Sequence, residues 1–310
     1  MNNEKIKEFF EHAKDFFTKE ELALYIEYFN KEIYHGININ LKKLSYSNIS
    51  INEIESKYNL KRINIYDNKN QEKSHYYTYI DSNSNKPGKS IFFDTGLFYI
   101  QEPSQMNVIL HLNIQKSDKI LDICASPGGK AVQALMELEE DKGGFLWANE
   151  VDQKRAKILS SNIERMGFAN CIVSSINIKK MGQNLCGLFD KIIVDAPCSG
   201  EGMFRKDPFA IEDWSIKKVK KCVEMQKEIM NKAYFLLKNN SYISYSTCTF
   251  EKEENEGIIQ YLLNKYKDLE VIEEARIYPF LSKYNKKNIN SNIQNLILGE
   301  GHYFCILKKH

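Results

Sequence analysis

The sequence predicts an α/β protein: a doubly wound, mostly parallel sheet preceded by a smaller amino-terminal α+β module. Two observations carry this. After about residue 100, short apolar runs alternate with helical stretches in the rhythm of βα units. Before it, amphipathic helices and short alternating segments are separated by Asn, Ser and Gly clusters. The module is therefore assigned to residues 1–100 and the sheet domain to residues 101–310, and a chain of 310 residues suits two domains at roughly 150 each.

Residues 4–34 place Ile6, Phe9, Phe10, Ala13, Phe16 and Phe17 at helical spacing, then Leu22, Leu24, Tyr25, Tyr28 and Phe29. This predicts two amphipathic helices broken near Thr18, a helix N-cap, with the aromatic stripe serving as core. Gly36–Leu41 and Tyr76–Ile80 read as strands. Beyond residue 100, strands are predicted at 119–123, 145–148, 171–173, 191–194, 242–246 and 302–307. Helices are predicted at 131–140, 153–166 and 213–237. No internal repeat is visible.

Lys+Arg 43 against Asp+Glu 41 leaves a net charge of +2, which excludes a globally basic nucleic-acid coat but not a local basic groove. The seven cysteines include no Cys-x-x-Cys pair, so neither a zinc site nor a disulfide framework is indicated. The start is polar and no apolar run approaches the roughly 20 residues of a membrane span. A soluble, cytoplasmic, monomeric protein without bound metal or membrane contact is expected.

In doubly wound sheets, ligands sit at the carboxyl ends of strands. The first such segment is Asp122-Ile-Cys-Ala-Ser-Pro-Gly-Gly-Lys130, between a strand and a helix. Its residues Cys124, Ala125, Ser126, Pro127, Gly128, Gly129 and Lys130 combine close backbone approach with a helix amino terminus. The dinucleotide glycine fingerprint and the phosphate loop are both absent. Glu150 ends the next strand, where a carboxylate can accept from two ribose hydroxyls. A nucleoside-bearing cofactor without a pyrophosphate fits, and S-adenosyl-L-methionine is one. A tight structural turn with a surface glutamate is the competing reading.

Two further segments, Asp195-Ala-Pro-Cys198-Ser-Gly and Ser246-Thr-Cys248-Thr, also follow strands. Cys171, Cys186, Cys222 and Cys305 read as structural thiols. Cys198 and Cys248 have polar surroundings that suit chemistry. Carbon-5 of cytosine becomes nucleophilic enough to take a methyl group only after a thiolate adds at carbon-6. The carbon-5 proton must then leave before the enzyme–base bond can break. One nucleophilic cysteine and a second group assisting release answer both needs. Asp195 can hydrogen-bond the base and offset charge during addition. Arg205 and Lys206 are candidates for phosphate contact, with a solvated loop as an equal reading.

These segments, with Glu254-Asn255-Glu256, Tyr99–Ser104 and Gly299–Tyr303, resemble in order and spacing the NOL1/NOP2/Sun family of RNA cytosine-C5 methyltransferases. Met203-Phe-Arg-Lys206 after the Pro-Cys motif is similar to that of the bacterial ribosomal-RNA (16S-type) members. The resemblance covers residues from about 36 to the end. It implies a Rossmann-like methyltransferase domain with an amino-terminal RNA-binding module, Cys248 as nucleophile, and Cys198 in product release. It also implies cofactor contacts from residues 124–130, Glu150 and Asp195. Asn177 stands where the family usually has an Asp near the adenine, which predicts a modest change in affinity. Residues 281–298 form a long polar insertion, and the chain stops at His310 without the carboxyl-terminal extension of many relatives. RNA recognition is then expected from the amino-terminal module, from Lys42, Lys43, Lys61 and Arg62, and from the insertion. Ribosomal RNA is the expected substrate and tRNA the alternative. A protein or small-molecule methyltransferase, or a non-catalytic ribosome-assembly factor, are the competing functions.

Overall fold

The computed structural model describes residues 4–63, 65–66, 72–73, 75–82, 85–281 and 298–310. Six strands precede residue 102: β1 Tyr34–Ile39, β2 Lys61–Arg62, β3 Ile65–Tyr66, β4 Glu72–Lys73, β5 Tyr76–Ile80 and β6 Phe98–Gln101. Four of them form an antiparallel sheet in the order β2-β5-β1-β6, and β3 pairs with β4 as a hairpin. Ile37, Ile39, Tyr77 and Phe98 of this sheet pack against Ile54 and Tyr58 of the helix Ile51–Tyr58. That helix starts on the Ser50 side-chain cap and ends at Asn59 in the left-handed conformation.

The second sheet has seven strands: β7 Lys119–Asp122, β8 Phe145–Asn149, β9 Cys171–Ser174, β10 Phe189–Asp195, β11 Leu237–Thr247, β12 Leu269–Ile277 and β13 His302–Lys309. Their order is β12-β13-β11-β10-β7-β8-β9. Strands β7 to β11 run parallel, and β13 lies antiparallel between β11 and β12. The chain leaves β7 toward β8 and β9, then returns to the other side of β7 with β10 and β11. The switch point therefore opens above the carboxyl ends of β7 and β10. Each face is covered. Ala131, Leu135, Leu159 and Ile163 close one, and Ile229, Met230, Ala233, Ile258 and Leu262 close the other. The sheet is mixed and mostly parallel, as the alternation of elements predicts.

Thr18 caps the helix Lys19–Tyr28 through a reciprocal capping box with Glu21. The aromatic stripe of this helix and of Glu4–Ala13 is core, as its spacing predicts, but it does not pack on the four-stranded sheet. Phe9 is fully buried, its ring 5.1 Å from Phe204 and 5.4 Å from Trp214, and Tyr25 lies 5.2 Å from Phe250. The first helices thus stand on segments that follow β10 and β11. The stretch 213–237 divides into Pro208–Asp213 and Ile216–Leu236 because Ser215 caps the second helix. Strand β12 and the helix Glu256–Lys265 have no counterpart in the sequence reading. Residues 282–297 of the polar insertion lie outside the described residues. Among the described residues, no helix is long and apolar enough to cross a membrane, and no cluster of metal-ligating side chains occurs.

Candidate active site

A cavity of about 780 Å³ opens at the switch point. Cys124, Ala125, Ser126, Pro127, Gly129, Lys130, Glu150, Asn177, Asp195, Cys198 and Cys248 all line it, so five separate stretches of chain meet in one space. Gly128 stands in the turn behind, with φ +117°, where a Cβ would meet Leu159 Cδ1 at 3.3 Å. The loop is tied down from the helix Gln153–Met166: Ser126 donates to the Arg155 carbonyl at 3.0 Å, Arg155 to the Ser126 carbonyl at 2.8 Å, and Asn162 to the Pro127 carbonyl at 2.9 Å.

The electrostatics centre on two aspartates at the ends of neighbouring strands. Lys130 Nζ is 2.8 Å from Asp195, and Ser246 Oγ donates to the same carboxylate at 2.9 Å. Burial opposes ionisation of Asp195, but Lys130 and Ser246 outweigh it and hold the carboxyl below the usual range. Asp122 is fully buried, and neither of its oxygens closes a hydrogen bond. Burial first, and the Asp195 charge second, push it up to about 8, with the Lys130 charge offsetting part of the rise. His302 is buried beside Asp195 at 3.9 Å, and burial with the Lys130 charge pushes it down to about 3, so its imidazole is neutral. The loop lysine thus lines the cavity with its charge committed to Asp195.

Glu150 is buried, accepting from the Asp152 amide at 3.0 Å and facing Arg155 at 3.4 Å. Asn177 is exposed and accepts the Lys179 amide at 3.0 Å. The residues fit a nucleoside with a polar tail. Asp122 is an orphaned buried acceptor at the cavity wall, Gly129 allows close approach, and Glu150 stands one strand away.

The two predicted thiols face each other with their sulfurs 3.2 Å apart. Adjacent parallel strands β10 and β11, paired in register from Lys191–Tyr242 to Asp195–Ser246, carry them to the same rim. The neighbouring Cys248, then burial, push the Cys198 thiol well above the usual range. Burial also pushes Cys124 up and keeps that cavity thiol protonated.

Arg205 and Lys206, candidates for phosphate contact, have partners within the fold. The Arg205 side chain is 3% exposed, lies 4.0 Å over the Tyr28 ring, donates to the carbonyls of Lys31 and Glu32, and pairs with Glu300. Lys206 donates to the Tyr34 carbonyl at 2.8 Å. Both cations are consumed in fixing the amino-terminal segment. Lys43 likewise donates to the Arg165 carbonyl at 2.7 Å, at the carboxyl end of a helix, whereas Lys42, Lys61 and Arg62 are exposed. The sequence reading gave no role to Asp122, Gln226 or His302. Gln226 had a signal: it interrupts the apolar face Val219, Cys222, Met230, Ala233 of its helix.

A family profile described as 16S rRNA methyltransferase RsmB/F matches residues 109–302. "Ribosomal RNA small subunit methyltransferase F" of Shewanella piezotolerans is 38% identical over 201 residues, covering 63% of this chain and 42% of the relative. The protein of the same description from Vibrio cholerae is 41% identical over 177 residues, covering 56% and 37%. The chain thus spans about two fifths of the length of the curated relatives it matches. Two solved structures from Pyrococcus horikoshii share the fold. A methyltransferase homolog protein superposes with TM-score 0.71 at 24% identity, covering 94% of this chain and 92% of the other. NSun6 superposes with TM-score 0.66 at 20% identity, covering 97% of each. With the profile matching well over half of its length, including every cavity-lining motif from Asp122 to Cys248, the chain belongs to the 16S rRNA methyltransferase RsmB/F family.

Proposed function

We propose that this chain transfers a methyl group from S-adenosyl-L-methionine to carbon-5 of a cytosine in RNA, with ribosomal RNA of the small subunit as substrate. The observation that carries the reading is the pair of sulfurs 3.2 Å apart, in the same cavity as the glycine loop. A methyltransferase acting on a protein or a small molecule has no use for two facing thiols. The matched relatives are named for ribosomal RNA of the small subunit, which favours that substrate over tRNA.

The loop residues Cys124–Lys130, with Glu150 and Asn177, would hold the cofactor, whose sulfonium supplies an electrophilic methyl. Cys248 attacks carbon-6 of the base as the thiolate, with the Cys198 sulfur 3.2 Å beside it. The electron pair released into the ring makes carbon-5 the nucleophile that takes the methyl. Asp195, anchored by Lys130 and Ser246, stands at the rim, where its carboxylate can accept the exocyclic N–H of the base and orient it. Once Cys248 is bound to carbon, Cys198 loses its partner. After its own proton has passed to solvent, the Cys198 thiolate takes the carbon-5 proton, and the bond between Cys248 and carbon-6 breaks to return the Cys248 thiolate. The target base has to leave its stack to reach a nucleophile inside the cavity.

The test is a pair of variants incubated with small-subunit RNA and cofactor. Cys248→Ala should form no 5-methylcytosine and no adduct, while Cys198→Ala should accumulate a covalent protein–RNA species that survives denaturation. Full activity of Cys248→Ala would show the nucleophile assignment to be wrong. Methylation of tRNA in preference to ribosomal RNA would overturn the substrate.

A further inference from the structure

The loop that carries Cys198 is held from below by one buried carboxyl group. Glu254 is completely inaccessible, yet it sits just before the helix Glu256–Lys265 and belongs to no apolar pattern. One of its oxygens accepts the Ser199 amide at 3.1 Å and the Gln226 side-chain amide at 2.7 Å. The other accepts the Ser199 hydroxyl, which also meets the Thr249 hydroxyl at 2.9 Å. Gln226 donates at the same time to the Pro197 carbonyl at 2.9 Å. Residues on both sides of Cys198 are therefore joined to Glu254, and Thr249 extends the joint to the residue after Cys248. Tyr245 completes it by donating to the Glu254 backbone carbonyl at 2.6 Å.

A burial this complete is costly for a carboxyl group unless its geometry is used. We propose that Glu254 is a positioning residue for the thiol pair: it locks the Cys198 loop against the end of β11 and sets a negative charge behind Cys198, so that the two sulfurs enter the reaction with distinct tasks. The tasks rest on the methyltransferase reading above, but the arrangement itself does not.

The groups facing Glu254 come from every packed element. Glu201 approaches from the segment after the Cys198 loop, Glu251 from the turn before, Cys222 and Gln226 from the helix Ile216–Leu236, and Tyr245 from β11. Lys218, on that same helix, donates to the Ser199 carbonyl at 3.1 Å. Burial first, then the Glu201 charge, push Glu254 up to about 7, against the Ser199 and Gln226 hydrogen bonds. Its charge thus appears across neutral pH, and that charge in turn raises Cys198. Protonated Glu254 leaves Cys198 easier to ionise, and ionised Glu254 leaves it harder. The two titrations are linked.

The experiment follows alkylation of Cys198 by iodoacetamide in the full-length Cys248→Ala variant, reading the Cys198 peptide by mass spectrometry from pH 5 to 10. No RNA is needed, so the outcome is separate from whether the chain methylates cytosine. The logarithm of the rate should rise with pH, flatten near neutrality as Glu254 ionises, and rise again. Adding Glu254→Gln should remove the flattened step and increase the rate above pH 8 about tenfold, one unit of thiol acidity. A single smooth rise in Cys248→Ala alone would overturn the proposal without any change at Glu254. A step that persists in the double variant would assign it to another group and overturn the proposal equally.

Discussion

The Lys130–Asp195 pair is the clearest case in which the site can be tested by stability rather than turnover. Replacing Lys130 with Met keeps most of the packing volume of a side chain that is 2% exposed and removes only the charge. Coulomb's law at an effective dielectric of about 20 gives roughly 6 kcal/mol of attraction at such a separation, before desolvation is subtracted. Breaking a fully buried pair costs about 3–5 kcal/mol through the charge left behind. Asp195 is 33% exposed toward the cavity, so water screens part of that loss, and Lys130→Met should cost about 2–3 kcal/mol at pH 7. A double-mutant cycle in urea with Asp195→Asn measures the pair itself, with an expected coupling of about 2 kcal/mol. The pH dependence has a fixed sign. Asp195 is held below its ordinary range, so its contribution is present above about pH 4 and fades as pH falls through the native value. The gap between wild type and Lys130→Met should therefore narrow on acidification below pH 4. A coupling under about 0.5 kcal/mol, or a gap that widens in acid, would refute the claim that Lys130 is committed to Asp195.

Gly202→Ala places a Cβ 2.6 Å from the Gly301 carbonyl and 2.8 Å from the Cys248 carbonyl. Displacing Cys248 by a fraction of an ångström should lower methylation about a hundredfold while cofactor affinity by calorimetry changes little; unchanged turnover would remove Gly202 as a spacer. Arg205→Ala should cost about 3 kcal/mol by leaving buried Glu300 with only Lys206, at 3.9 Å, as its counter-charge. It should leave the salt slope of RNA binding unaltered, and a slope reduced by about one would restore Arg205 as a phosphate contact. Asp122 titrates near 8 in the folded protein against about 4 when unfolded, so the native state loses stability as pH rises between these values. Asp122→Asn should flatten that decline, by several kcal/mol and at most roughly 5, and a decline of unchanged steepness in urea titrations would show that Asp122 is already ionised.

The strand–turn–helix rhythm and the three motifs were legible in the sequence because parallel strands are short apolar runs and their chemistry follows them directly. The positions of β7 to β10 follow from that pattern, whereas β11 begins at Leu237, five residues before the predicted strand. Strand β12 was not legible. Its Leu-Glu-Val-Ile-Glu-Glu-Ala sequence loses strict alternation at a register shift between Val271 and Glu273, and as an edge strand it has no continuous apolar signature. The internal partners of the two cations were not legible for a different reason. Arg205 and Lys206 follow a catalytic motif and carry the right charge for RNA, but their partners are backbone carbonyls of residues 31, 32 and 34, some 170 positions away. No local pattern records such a partner. Glu254 was visible within a motif but not as a clamp, since its use depends on Gln226 and Ser199 arriving from other elements.

The same long-range packing changes what the first thirty residues are for. Motif by motif, the helices Glu4–Ala13 and Lys19–Tyr28 lie far from any chemistry. In space, Tyr25 donates to the Glu201 carbonyl at 3.0 Å, and Trp214, stacked edge-on against Phe9, donates to the Glu201 carboxylate at 2.6 Å. The next residue, Gly202, donates its amide to the Cys248 carbonyl at 2.8 Å. Three contacts thus connect an aromatic stripe near the amino terminus to the backbone of Cys248, and His12 adds a contact of its own by meeting Glu251 at 2.9 Å. A cysteine whose carbonyl hangs from Gly202 is only as well placed as Glu201 is, and Glu201 is placed by rings from the first helices. Those helices are therefore part of the floor of the site, and the chemistry after β11 depends on an interface formed at the opposite end of the chain.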